Sequence, residues 1–262
     1  MKTNNKANNT ITTYKNILLL FYAYMEKKEK SYIDIDILDY KKTLECEGYK
    51  LNTIRLHLLV IRTFYEYLNF KGEKIINPCS KFVIPAEKIG TVKALGEDSI
   101  KKILNYLESK EDYIKVLFYL MLYGGLRIGE VAKLKTKDIQ FVNDRIIISI
   151  PGEIAKGKKS RISPYIDGYT GKFLLDYIEN NNHKYLSRIS KRTIQYHAKQ
   201  ISKAIEVKFN CHMLRHNYAT ELLNRGISLD IIQTALGHKN IETTRRYAET
   251  LLQNVVDVAA KI

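Results

Sequence analysis

Apolar positions recur at three- and four-residue steps along most of this chain, the spacing that collects side chains on one face of an α-helix. Tyr14, Leu18, Phe21, Tyr22 and Met25 follow that spacing near the start, and Ile54, Leu58, Ile61, Tyr65 and Leu68 repeat it farther on. The pattern predicts helices through 9–70, including a shorter one over 35–47 that ends near Gly48, with Asn52 capping the helix that follows. The period fails between Gly72 and Ala94, where Asn77-Pro78, Pro85 and Gly90 interrupt it in a polar Lys/Glu/Gly context. That break predicts two domains: a helical one over 1–85, a linker over 86–94, and a second domain over 95–262.

The second domain reads as helices at 97–107 and 113–122, then a break at Gly124-Gly125. Alternating β-branched residues over 139–149 and 160–164, with turn signals at Asn143-Asp144 and Gly157-Lys158, predict a small antiparallel sheet. Helical spacing returns at 169–179, 191–206, 212–225 and 229–236, and two short helices are expected after Asn240. The fold class that results is mainly α with a small antiparallel β-sheet, a helical N-terminal domain preceding an α+β domain.

Charge changes the picture more than composition does. The 262 residues carry 43 Lys and Arg against 28 Asp and Glu, a formal net charge of +15, so the expected partner is a polyanion. Both halves share the excess: 15 basic against 10 acidic residues through Val92, and 28 against 18 beyond it. Nucleic acid is the first candidate and an anionic membrane surface the second. The apolar run Ile17–Met25 is far shorter than the roughly 20 residues that span a bilayer, and the charged Glu26–Lys30 follows it with no small-residue cleavage site. The expectation is a cytoplasmic protein with no membrane association. Cys46, Cys79 and Cys211 are odd in number and lack CxxC spacing, which argues against a disulfide scaffold or a zinc cluster.

His212 and Arg215 lie three apart in a helical segment, so both side chains leave one face and can meet one phosphate. Taken alone, such a pair is more often a capping histidine and a solvated arginine. Its company alters that reading: Leu214-Arg215-His216 leads into Ala219-Thr220, Leu222-Leu223, Gly226, Ile232-Gln233, Leu236-Gly237-His238, Thr243-Thr244 and Tyr247. This run, with the upstream Gly125-Leu126-Arg127-Ile128-Gly129-Glu130, resembles the tyrosine recombinase (phage integrase) family, whose hallmark is an Arg…Lys…HxxR…His…Tyr series. The resemblance covers the whole second domain, and the helical first domain is similar to the family's core-binding (SAM-like) domain.

The resemblance implies that Arg127 and Arg215 clamp a phosphate, that His212 and His238 occupy the two histidine positions, and that Tyr247 is the nucleophile. Lys156 falls at the family's β-hairpin lysine, a general acid, although the approach Ile150–Ile154 is longer than relatives use, so Lys158 or Lys159 is an alternative. Glu130, one turn from Arg127, is either a helix ion pair or an orienting partner. His57, His183, His197 and His216 read as surface or packing residues.

The chemistry suits those residue types. Attack on a phosphodiester builds charge on its non-bridging oxygens, which guanidinium forks meet bidentately without a metal. The carboxylates are scattered or paired with lysines, so neither metal nor cofactor is expected. A phenol with a pKa of about 10 needs positive surroundings or a base before it attacks, and His212, Arg215, Arg245 and Arg246 are candidates for that field. In the first domain Lys50, Arg55 and Arg62 are candidate phosphate-backbone contacts, or simply a solvated face.

The expected function is a compact, Xer-type site-specific recombinase that clamps duplex DNA between its lobes, cutting and rejoining it through a 3′-phosphotyrosyl intermediate. A tetramer on DNA, docked through the apolar stripe Leu251, Leu252, Val255, Val258 and Ala259 of a C-terminal helix, is implied by the resemblance only. A type IB topoisomerase-like enzyme and a non-catalytic DNA-binding regulator are the rival expectations.

Overall fold

The computed structural model describes residues 8–28, 37–80, 83–85, 94–181 and 183–237. The chain divides into two compact units, Met1–Gly90 and Thr91–Ile262. The first contains α1 (Asn8–Lys27), α2 (Ile37–Cys46) and α3 (Leu51–Phe70). Helices α1 and α2 both pack on α3, burying Phe21, Met25, Tyr40, Leu44, Ile54, Leu58, Ile61 and Tyr65 in one core. The stripe of α1 is rotated from the expected one: Ile17, Phe21, Tyr24 and Met25 are buried while Tyr22 stands half exposed. A continuous apolar run offers several faces, and contact with α3 selects among them.

Asn52 does not cap α3. The cap residue is Lys50, in extended conformation and without a side-chain cap bond, its carbonyl accepting the Thr53 and Ile54 N–H groups at 2.8 and 3.1 Å. Gly48, at φ +77°, ends the preceding turn and delivers the chain into that extended residue. Two polar side chains of this unit find partners within it. His57 is buried, its Nδ1 2.9 Å from the Tyr40 hydroxyl, and burial lowers its pKa. Arg62 donates through Nη2 to the Cys79 carbonyl at 2.7 Å, while Asn77 Nδ2 donates to the Arg62 carbonyl, so this residue clips the 71–80 loop onto α3.

The second unit comprises α4 (Glu97–Glu108), α5 (Asp112–Tyr123), α6 (Ile128–Val131), a 3-10 turn (Thr136–Asp138), β1 (Ile139–Val142), β2 (Arg145–Ile150), β3 (Arg161–Pro164), α7 (Gly168–Asn180), α8 (Lys191–Ala204), α9 (Cys211–Asn224) and α10 (Leu229–Leu236). Helix α5 is apolar on every side and buried from Val116 through Leu122, so it forms the axis of the core against which α9 packs. The sheet is antiparallel in the order β1-β2-β3, with Ile148 paired to Ile139 on one side and to Ser163 on the other. Asn143 and Asp144, at φ 48° and 57°, make the tight two-residue turn that joins β1 to β2. The mainly helical class with a small sheet is thus the one expected. The segment after Gly237, including the expected C-terminal helices, lies outside the described residues. Among the described residues no helix is long and apolar enough to cross a membrane.

Candidate active site

The site begins where α5 stops. Gly125 adopts φ +65°, and a Cβ there would lie 2.4 Å from Cδ1 of Tyr218. Only glycine lets the backbone pass over that ring while turning left-handed. The Tyr218 hydroxyl in turn donates to the Pro164 carbonyl at 2.8 Å and lies 3.2 Å from Ser163 Oγ, fixing α9 against β3. The turn aims the Gly125 carbonyl at Arg215 of α9, whose Nη1 donates to it at 2.5 Å. Two residues later Arg127 stands at the N-cap of α6, and its backbone N–H donates to Glu130 Oε2 at 2.8 Å.

Glu130, only 1% exposed, is the centre of a charged hub. Arg127 Nη1 donates to its Oε1 at 3.1 Å. Arg161 grips both carboxylate oxygens, through Nη1 at 2.9 Å and Nη2 at 2.7 Å, and Arg215 Nη1 lies 3.8 Å from Oε2. Burial alone would raise the Glu130 pKa, but the bonds and charges of Arg161, the Arg127 N–H and the charge of Arg215 outweigh it and hold the carboxyl at about 2. One carboxylate against three guanidinium groups leaves two net positive charges.

The same three arginines also seat the end of α10. Arg161 Nε donates to the Ala235 carbonyl at 2.8 Å, Arg215 Nη2 to the Leu236 carbonyl at 2.5 Å, and Arg127 Nη2 to the Gly237 carbonyl at 3.2 Å. These carbonyls end a helix, carry its partial negative charge and have no intrahelical partners, so cations complement them. Gly237 closes the helix at φ +62°, and a Cβ there would stand 2.8 Å from Arg161 Cδ.

Asn210 starts α9 by accepting the His212 N–H at 2.9 Å and the Met213 N–H at 3.3 Å, which holds His212 and Arg215 on one helical face. Partial loss of solvent lowers the His212 pKa, as do the positive charges of Arg215, Lys191, Arg127 and Lys156. The shift favours the neutral imidazole, the form able to accept a proton. His216, more deeply set, is pushed down to about 4 by burial and by His212 and Arg215.

Lys156 lies in the turn joining β2 to β3. It lines a groove of about 1180 Å³ together with Lys159, Arg161, Asp230, Gln233 and Gly237. The groove lining does not include Lys158, whose residue takes φ +59°. Gly152 permits this compact turn, since a Cβ there would meet the Lys158 carbonyl oxygen at 2.7 Å.

The structure therefore gathers Arg127, Glu130, His212 and Arg215 into one neighbourhood, with Lys156 close enough for its charge to act on His212. His238, Arg245 and Tyr247 lie outside the described residues. Lys50, Arg55 and Arg62 belong to the first unit: Lys50 is exposed and the other two half-buried. Arg161 was not singled out from the sequence. Its strand carries the available signal: Arg161 and Ser163 point inward while Ile162 is 62% exposed, an inverted alternation that marks a polar interior. Among the described residues no group of three His, Cys, Asp or Glu side chains is arranged to hold a metal ion.

In this mainly helical protein the α+β unit collects three guanidinium groups around one buried carboxylate, an excess of cations of the kind that planar recognition of a carboxylate or phosphate uses. The sequence model of the phage integrase family matches residues 93–253, and the chain belongs to this family. It is 29% identical over 276 residues to a tyrosine recombinase XerA of Pyrococcus horikoshii, covering 98% of this chain and 88% of that one. Tyrosine recombinase XerC of Staphylococcus aureus is 27% identical, with coverage of 96% and 89%. Among solved structures, XerH site-specific recombinase bound to a palindromic difH substrate in a post-cleavage complex superposes with a TM-score of 0.79 at 22% identity, over 96% of this chain and 79% of that one. A lambda integrase (75–356) dimer bound to a COC′ core site gives 0.76 at 19% identity, over 95% and 91%.

Proposed function

We propose that this protein is a site-specific DNA recombinase that cuts and rejoins duplex DNA through a phosphotyrosyl intermediate. The observation that carries the reading is the hub itself, three guanidinium groups on one buried carboxylate with His212 and the hairpin Lys156 close by. A phosphodiester seated on Arg127 and Arg215 places its non-bridging oxygens against guanidinium N–H groups, where charge grows in the transition state. Tyr247 attacks phosphorus, and its phenolic proton passes to neutral His212. The bond to the 5′ oxygen breaks, Lys156 supplies the proton that oxygen needs, and DNA remains joined to the protein as a 3′-phosphotyrosine. A free 5′ hydroxyl of a partner strand then attacks, releasing the tyrosine. One ester replaces another at every step, so no ATP is consumed. His238 completes the phosphate contacts, and Lys158, Lys159 and Arg245 meet neighbouring phosphates. The first unit acts as the core-binding domain, with Lys50 and Arg55 as backbone contacts, and four protomers coupled by the C-terminal helix exchange strands.

Lys156 is favoured as the acid over Lys158 and Lys159 because its charge reaches His212, and over Lys158 also because it lines the groove. The test is covalent capture. Incubated with a pool of randomised nicked duplexes, the protein is expected to form SDS-resistant adducts whose sequencing reveals the target. Tyr247→Phe is expected to abolish the adduct while DNA affinity stays within about threefold of wild type, since the phenol contributes to the transition state rather than to binding. Adducts that survive this substitution overturn the assignment. Relaxation of supercoiled plasmid without exchange between two captured sites would replace recombinase by topoisomerase.

A further inference from the structure

We propose that Arg161 is a positioning residue for this reaction: it neutralises Glu130, leaving Arg127 and Arg215 their charge for the phosphate, and ties that charge centre to the end of α10. The inference rests on the reading of the site as a phosphate clamp. Its observations are independent of the family comparison. Arg161 alone among the three arginines is bidentate to Glu130, at 2.9 and 2.7 Å, whereas Arg127 makes one side-chain bond to it and Arg215 stands at 3.8 Å. Its side chain is 5% exposed, as is that of Arg215, against 17% for Arg127, so the bidentate fork rather than burial sets Arg161 apart from Arg215. The fork and its packing commit it inward, while Arg127 keeps surface from which to meet an incoming anion.

A buried carboxylate takes whatever cation it can reach, because its charge is costly when unpaired. With Arg161 removed, the cations within reach of Glu130 among the described residues are Arg127 and Arg215. Three cations against one anion leave two charges, whereas two against one leave a single charge, drawn toward Glu130 and away from the groove. The Nε bond to the Ala235 carbonyl would be lost as well, loosening the helix end from which the chain departs toward Tyr247.

The proposal separates charge balance from mere packing through a second substitution. Glu130→Gln keeps an acceptor for the Arg127 N–H and the same shape but removes the charge that Arg161 answers. Binding of inorganic phosphate is measured by calorimetry in chloride-poor buffer, with circular dichroism as the check on folding. Arg161→Gln is expected to weaken phosphate binding at least tenfold, and Arg161→Gln combined with Glu130→Gln to return it to within about threefold of wild type. Should Arg161→Gln unfold the chain, Arg161→Lys carries the test: affinity within about threefold of wild type supports charge balance, and a tenfold loss overturns it. A double variant as weak as the single one, a single variant that binds like wild type, or a wild type that binds no phosphate each overturns the proposal. Wild-type protein that binds phosphate yet forms no adduct with the duplex pool refutes the recombinase reading and leaves the role of Arg161 intact. With adducts formed, Arg161→Gln is expected to slow single-turnover adduct formation at saturating DNA at least tenfold.

Discussion

Gly125 has two reasons to be glycine, and they reinforce each other. Its φ of +65° disfavours any side chain, and the space a Cβ would fill is taken by the Tyr218 ring at 2.4 Å. The ring is fully buried and hydrogen-bonded, so it has nowhere to go. Gly125→Ala is expected to destabilise the second unit by about 3 kcal/mol, measured by urea denaturation, because overpacking and left-handed strain add. At this scale the sequence was legible wherever one element supplied the geometry. Arg127 and Glu130 are three residues apart across the start of α6, and His212 and Arg215 are three apart in α9, so spacing put the members of each pair near one another while the family resemblance gave them roles. Arg161 escaped because its partners come from elsewhere: Glu130 precedes it by 31 residues and Ala235 follows it by 74. No local period encodes such a meeting.

Helices and hairpin tell a similar story one level up. The strongly periodic or β-branched stretches became elements close to their expected bounds, since α5, α9 and the β1-β2 turn are each dictated by their own residues. What failed were features decided by neighbours. The buried face of α1 depends on where α3 presents its groove, and the start of α3 depends on the turn that ends α2. Asn210 is a clear case of a local instruction with a functional load, because the cap it provides sets the first turn in which His212 lies. Asn210→Ala is expected to cost about 1 kcal/mol in thermal or urea unfolding, as the His212 and Met213 N–H groups lose their acceptor. The hairpin turn is shaped equally tightly, with Gly152 and Gly157 folding the 151–160 segment so that Lys156 lines the groove.

For the whole molecule, the dominant quantity is the +15 charge, distributed over both units. A DNA-binding surface that neutralises six to ten phosphates loses roughly 10³–10⁵ in affinity between 50 and 200 mM salt through counterion release. This protein is expected to fall within that range in a filter-binding or anisotropy titration, whatever the sequence of the duplex. A shallow dependence would mean that its positive charge faces something other than a phosphate backbone. The arginine-bound end of α10 has a consequence for kinetics as well. Ten peptide units separate Gly237 from Tyr247, so the two cannot stand farther apart than about 35 Å whatever path the chain takes. On the proposed assignment of Tyr247 as nucleophile, the guanidinium bonds at Gly237 bound how far its phenol can stand from the arginines, and so set a floor on its effective concentration there. On that assignment, a substitution that frees the root would dilute the phenol without altering a single atom of it.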